Sequence, residues 1–146
     1  MLLSSRNPSP VIFGCTGYSL TPEEKDFFNH HNPLGFILFK RNIQNKAQLK
    51  SLVEELKAAV PNANPPLLID QEGGRVARLK PPIWRTYPPA RVDLAKESLE
   101  DAKIRVHQTY TAIAKELREL GITVNCAPVL DLDVPEADPI MGDRTF

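Results

Sequence analysis

The chain has 146 residues, and 18 Lys+Arg balance 18 Asp+Glu to give a formal net charge of zero. That length suits one ordinary domain, and the balanced charge argues against a nucleic-acid partner, because such proteins carry a basic excess or stripe. With 42% hydrophobic and 25% charged residues, the composition is globular, and no apolar run approaches the roughly 18 residues of a bilayer span.

The N-terminal MLLSSRNPSP lacks the basic-then-apolar build of a secretory signal, so a cytoplasmic protein with no membrane partner is expected. A short apolar stretch, Val11 to Phe13, predicts the first strand. Thr21-Pro22-Glu23-Glu24 reads as a helix start: Thr21 caps, Pro22 suits the first helical position, and Glu24 completes a capping box. That helix should end near Asn32-Pro33, and Leu34 to Phe39 should form a buried strand.

Asn45 can cap a second helix, in which Leu49, Leu52, Val53, Leu56 and Val60 recur at helical spacing before Pro61. Pro66 to Asp70 predicts a third strand running into Gln71-Glu72-Gly73-Gly74. Residues 79–97 form a loop with two Pro-Pro pairs. Ser98 and Asp101 can cap the longest helix, with Val106, Tyr110, Ile113, Leu117 and Leu120 as its stripe and Gly121 as its stop. The last strand should run from about Thr123 to Leu130.

Apolar strands separated by amphipathic helices predict a parallel sheet covered by helices. Two arrangements fit, a doubly wound sheet or a (β/α)8 barrel, and both bind ligands at the carboxyl ends of the strands. Polar residues crowd those ends: Lys40 and Arg41, then Asp70 and Glu72, then Asp131 and Asp133. No Gly-x-Gly-x-x-Gly or Walker-type loop follows a strand, so a nucleotide fold would lack its phosphate cradle, and no cofactor is implied. Cys15 and Cys126 read as two buried thiols. Trp84 could stack on a sugar or pack under the loop.

The carboxylates allow three uses. Asp70 and Asp131 on neighbouring strands could work as acid and nucleophile in glycoside cleavage. Asp70, Glu72, Asp131 and Asp133 could instead hold a hard divalent cation. Strand-end acids can also serve structure alone, accepting from loop amides or pairing with Arg75, Arg78 and Arg144.

The string Leu67-Leu68-Ile69-Asp70-Gln71-Glu72-Gly73-Gly74-Arg75-Val76-Ala77-Arg78 resembles glycoside hydrolase family 3, in its branch of cytoplasmic bacterial β-N-acetylglucosaminidases of peptidoglycan recycling. The resemblance extends to Gly35 through Asn42, to Asn125 through Asp131 and to Gly142 through Phe146. It implies a (β/α)8 TIM barrel and a substrate containing N-acetylglucosamine, such as a muropeptide. It also implies sugar contacts from Asp70, Arg78 and Arg144, with Glu72, Arg75 and Asp131 in support. Asp70 suits a diol, and the planar guanidinium forks can hold hydroxyl oxygens rigidly. The family's nucleophilic aspartate and acid/base histidine would lie beyond residue 146, so no catalytic residue and no metal site is assigned within residues 1–146.

A barrel of this type needs about 250 residues. The expectation is therefore one incomplete domain over 1–146, the N-terminal half of a barrel that this chain alone does not close, with no second domain. Such a chain would be inactive alone, whether it is a truncated enzyme, a remnant or a sugar-binding half barrel. Its open strand edges would favour self-association.

Overall fold

The computed structural model describes residues 7–91 and 96–145. In chain order its elements are β1 (Ser9–Phe13), α1 (Pro22–His31), β2 (Pro33–Leu38), a 3-10 turn (Lys40–Asn42), α2 (Lys46–Ala58), β3 (Leu67–Ile69), α3 (Leu99–Glu119), β4 (Val124–Asn125) and a second 3-10 turn (Gly142–Arg144). The strands lie in the order β1-β2-β3-β4. β2 is parallel to both of its neighbours, pairing Phe13 with Phe36 and Leu38 with Ile69. Each strand sits beside its predecessor, so the sheet winds in one direction only. A doubly wound sheet reverses its order partway, whereas a (β/α)8 barrel does not. The order therefore selects the barrel-type winding.

Two compact units divide the chain: the residues up to Ile69 together with Arg118–Val124, and Asp70–Leu117 together with those from Asn125 onward. The first unit packs α1 and α2 on the sheet. Thr21 Oγ1 accepts from Glu24 N at 3.2 Å, and Glu24 Oε2 accepts in return from Thr21 N at 3.0 Å. These bonds satisfy two otherwise orphaned donors of the first turn. Asn45 Oδ1 accepts from Gln48 N in the same way at 2.9 Å. α2 ends at Ala58, and Val60 lies past its last turn yet stays buried. Leu49, Leu52, Val53 and Leu56 of α2 and Phe36, Leu38, Leu67 and Ile69 of the sheet are all fully buried. Phe28 of α1 stands edge-on to Phe36, with ring centroids 4.9 Å apart, a favoured aromatic geometry.

Gly35 interrupts the apolar run of β2 for a steric reason. A Cβ there would lie 2.4 Å from the Pro66 carbonyl oxygen, so only glycine admits the chain entering β3. Asn42 was no sequence candidate, yet it is fully buried. Its Nδ2 donates to the carbonyls of Cys15 and Gly17, and its Oδ1 accepts from Phe39 N. One side chain thus ties the loop after β1 to the loop after β2.

α3 starts as its sequence suggests, with Ser98 Oγ accepting from Asp101 N at 3.1 Å. It stops at Gly121, which has φ +79° and donates to Arg118 O. A Cβ on Gly121 would also come within 3.0 Å of a Val53 methyl. The left-handed conformation and the contact act together, so Gly121→Ala should cost about 1–2 kcal/mol. Thermal unfolding should show this as a drop of several degrees. An unchanged midpoint would mean that Gly121 is not needed as the stop.

Two expectations need correction. The final strand is only Val124–Asn125, not Thr123 to Leu130. β4 ends the strand order, Pro128 has no N–H to give a ladder, and Leu130 is 82% exposed. Extended backbone beyond Asn125 has no paired partner among the described residues. Cys126 consequently lies past the ladder and is exposed, while Cys15 alone is buried, and both are free thiols.

Candidate functional site

The second unit carries every residue that the sequence placed at a sugar or metal site. It is built on the segment that leaves β3. Asp70 follows Ile69 directly. Gln71, the next residue, is 1% exposed, and its bonds organise the turn beyond it. Gln71 Oε1 accepts from Arg78 N at 2.9 Å and Leu79 N at 3.0 Å, and its Nε2 donates to Leu79 O at 3.1 Å. Asn125 clasps the same residue from β4. Its Oδ1 accepts from Gln71 N, and its Nδ2 donates to Gln71 O, both at 3.0 Å. A primary amide can satisfy a backbone donor and acceptor at once, and both amides do so here.

Between Gln71 and Arg78 the chain doubles back. Gly73 and Gly74 have φ +102° and +55°, and Gly73 bridges Val76. A Cβ at Gly73 would meet Pro88 O at 2.1 Å. The two glycines thus allow both the turn and the approach of the proline-rich loop. The turn returns Arg78 to Asp70, where Arg78 Nη2 donates to Asp70 Oδ2 at 2.6 Å. Both side chains are about a quarter exposed, at 27% and 23%.

Glu72 and Arg144 form the second pair. Arg144 Nε donates to Glu72 Oε2 at 2.8 Å, and Nη2 donates to Oε1 at 2.7 Å. This two-point fork is the strongest form of the contact, and the Glu72 side chain is only 7% exposed. The Glu72 hydrogen bond, then the charges of Glu72, Asp131 and Asp70, hold the Arg144 guanidinium even more firmly protonated than usual, against some loss of solvation. Arg144 therefore sits within the field of three carboxylates. Arg75 reaches the chain around the second 3-10 turn, donating to Asp143 Oδ1 at 2.9 Å, to Met141 O at 2.9 Å and to Ile140 O.

The structure brings Asp70 to Arg78 and Glu72 to Arg144, and it places Asp131 and Asp70 in the field of Arg144. It does not assemble a metal site. Asp133 pairs with Arg91, and among the described residues no three His, Cys, Asp or Glu side chains converge on an ion position. The alternative built on Asp70, Glu72, Asp131 and Asp133 loses its donor set for that reason. Trp84 and Tyr87 are both buried, so neither offers an open ring face. Sequence reasoning missed Gln71 as an organiser, and it missed Asn125 as its clasp. Their contacts span 54 residues, and no local pattern announces such a pair.

Comparison with known proteins places this geometry. Residues 14–146 match the model of the glycosyl hydrolase family 3 N terminal domain. A beta-hexosaminidase of Bordetella avium is 36% identical over 143 residues, covering 95% of this chain and 40% of that protein. A beta-hexosaminidase of Neisseria meningitidis is 38% identical, covering 94% of this chain and 38% of its own length. The chain thus spans about two fifths of the curated relatives it matches. Among solved structures, NagZ from Neisseria gonorrhoeae in complex with N-trifluoroacetyl-D-glucosamine superposes with a TM-score of 0.85 at 34% identity, over 94% of this chain and 40% of that one. A family 3 β-N-acetylglucosaminidase from a Paenibacillus superposes at 0.74 with 29% identity, over 91% of this chain and 25% of that one. The four-stranded parallel sheet and its helices are those of the TIM-barrel-like N-terminal domain, and the chain belongs to glycosyl hydrolase family 3.

Proposed function

We propose that this chain supplies the N-terminal part of the sugar pocket of a β-N-acetylhexosaminidase. That enzyme would release terminal N-acetylglucosamine from peptidoglycan fragments in the cytoplasm. Asp70, Arg78 and Arg144 contact the sugar, while Glu72, Arg75 and Asp131 support them. The observation that carries this reading is the Asp70–Arg78 pair at the carboxyl end of β3. One Asp70 oxygen is engaged by the guanidinium, and the carboxylate keeps acceptor capacity for sugar hydroxyls. The relatives named beta-hexosaminidase and the sugar analogue bound by the gonococcal NagZ support the substrate class.

The same geometry argues against chemistry within these residues. Asp70 and Glu72 each receive a guanidinium. That is a gripping arrangement, unlike an acid and a nucleophile flanking a glycosidic bond. The 146-residue polypeptide should therefore bind N-acetylglucosamine weakly and give no steady turnover of a chromogenic β-N-acetylglucosaminide. Asp70→Asn should reduce binding about tenfold, the loss of one charge-assisted contact. Titration of wild type and variant by NMR checks this, and equal affinities would sink the assignment of Asp70.

A further inference from the structure

Past Arg78 the proline-rich loop folds back on itself. Trp84 N donates to Lys80 O at 3.3 Å, which closes a turn with Lys80 at one end and Arg85 just past the other. Next to it lies a cleft of about 100 Å³ whose walls include Gln71, Gly74, Lys80, Arg85 and Thr86. At about 30 Å³ per water in the liquid, that is room for about three waters, or for one carboxylate or phosphate group, and too little for a nucleotide.

The charge of this cleft is one-sided. Among the described residues that line it, Lys80 and Arg85 are cations and none is acidic. Arg75, Arg78, Arg91, Arg105 and Arg144, in the same unit, each meet a carboxylate. Lys80 and Arg85 meet none among the described residues. Lys80 Nζ reaches Arg75 O at 3.5 Å, and the Arg85 guanidinium lies 5.7 Å from the Tyr87 ring centroid. A wider cleft of about 270 Å³ shares Arg85 and adds Arg105, but both Glu97 oxygens already hold that second guanidinium. The smaller cleft therefore has the two uncommitted cations.

We propose that this cleft binds a small oxyanion, a carboxylate or phosphate group, between Lys80 and Arg85, with the Thr86 hydroxyl as a further donor. Arg85 offers a planar fork of donors and Lys80 a compact charge. A concave wall carrying one sign of charge concentrates the field where the ion sits. The ion rests against the turn that brings Arg78 back to Asp70, because Gln71 and Gly74 belong to both. Its binding does not depend on the sugar reading above.

Titration of the whole chain with sodium phosphate, followed by amide NMR at an ionic strength held constant with sodium chloride, tests the cleft. The Arg85 and Thr86 amide signals should move saturably, with a millimolar midpoint. Signals that stay still, or that follow chloride equally, overturn the site. Lys80 and Arg85 are both exposed, so Lys80→Gln and Arg85→Gln should keep the fold. Each should weaken phosphate binding about three- to tenfold, the loss of one charge-assisted contact. Unchanged affinity in both variants overturns the proposal. Acetate separates the two sources of the group: saturation by acetate as well supports a carboxylate site, and saturation by phosphate alone supports a phosphate site. N-acetylglucosamine is uncharged and should leave the phosphate affinity within about twofold. Direct competition would make the cleft and the sugar pocket one site and overturn the proposal. A chain that takes phosphate saturably but binds no N-acetylglucosamine supports the oxyanion cleft and overturns the sugar reading.

Discussion

Glu72→Gln is expected to be among the most destabilising single changes in this chain. Glu72 is nearly inaccessible and gives both oxygens to Arg144. Glutamine keeps the shape but places an NH2 group against a guanidinium donor. It also leaves the cation without its principal counter-charge. Removing one partner of a buried pair typically costs about 3–5 kcal/mol. Arg144 keeps some access to water, with its side chain 26% exposed, which argues for the lower end, about 3 kcal/mol. Small domains hold only about 5–15 kcal/mol in total, so the shift in urea midpoint should be large. The double variant Glu72→Leu with Arg144→Met should recover much of the loss, because apolar replacement of both partners removes the desolvation cost along with the attraction. A single variant within about 0.5 kcal/mol of wild type would show that the fork is solvated and weak. The double variant should still fail to bind N-acetylglucosamine, which separates the structural work of the pair from the ligand contact proposed for Arg144.

How much of the fold could be read beforehand depends on the range of the interactions concerned. The capping box at Thr21 and Glu24, the Asn45 cap, the Ser98–Asp101 start and the Gly121 stop all formed where the sequence put them. Each is decided within about four residues by donors that a helix end leaves unmet. The last strand was misjudged because pairing is not local. Val124, Val129 and Leu130 have strand-like character, yet the ladder ends at Asn125. The choice between a doubly wound sheet and a barrel was equally closed to the pattern, because strand order is a property of the pairing. The site shows the same division. The string from Asp70 to Arg78 is compact in sequence, and its turn glycines and acids could be read directly. Glu72 and Arg144 lie 72 residues apart. The sequence offers Arg144 only as one of three arginines open to any strand-end acid, and a separation of that size leaves the choice of Glu72 unspecified. Cys126 was read as buried because its neighbours are apolar, and it lies exposed because the strand stops one residue earlier.

Gln71→Leu should be as severe as the loss of Glu72, and for a different reason. The leucine is similar in size and would fill the same buried space, so little packing is lost. What disappears is the acceptor for Arg78 N and Leu79 N and the donor to Leu79 O. Leu79 is almost completely buried, so its backbone groups have no ready substitute in water. Each unmet buried group costs about 1–3 kcal/mol, and the sum should be about 3–5 kcal/mol by chemical denaturation. Asn125→Ala removes the clasp on the other side of the same residue. Its bonds are only partly buried, so about 2 kcal/mol is expected. One change removes the side chain of residue 71 and the other the partner of its backbone, so their effects should not add: a cycle on the double variant should show a coupling of about 0.5 kcal/mol or more. The same changes should also loosen the turn that carries Arg78 back to Asp70. Affinity for N-acetylglucosamine should then fall in Gln71→Leu under conditions where the chain is still folded. A Gln71→Leu chain with an unchanged denaturation midpoint would mean that the glycine turn alone, without the amide, brings Arg78 to the acid.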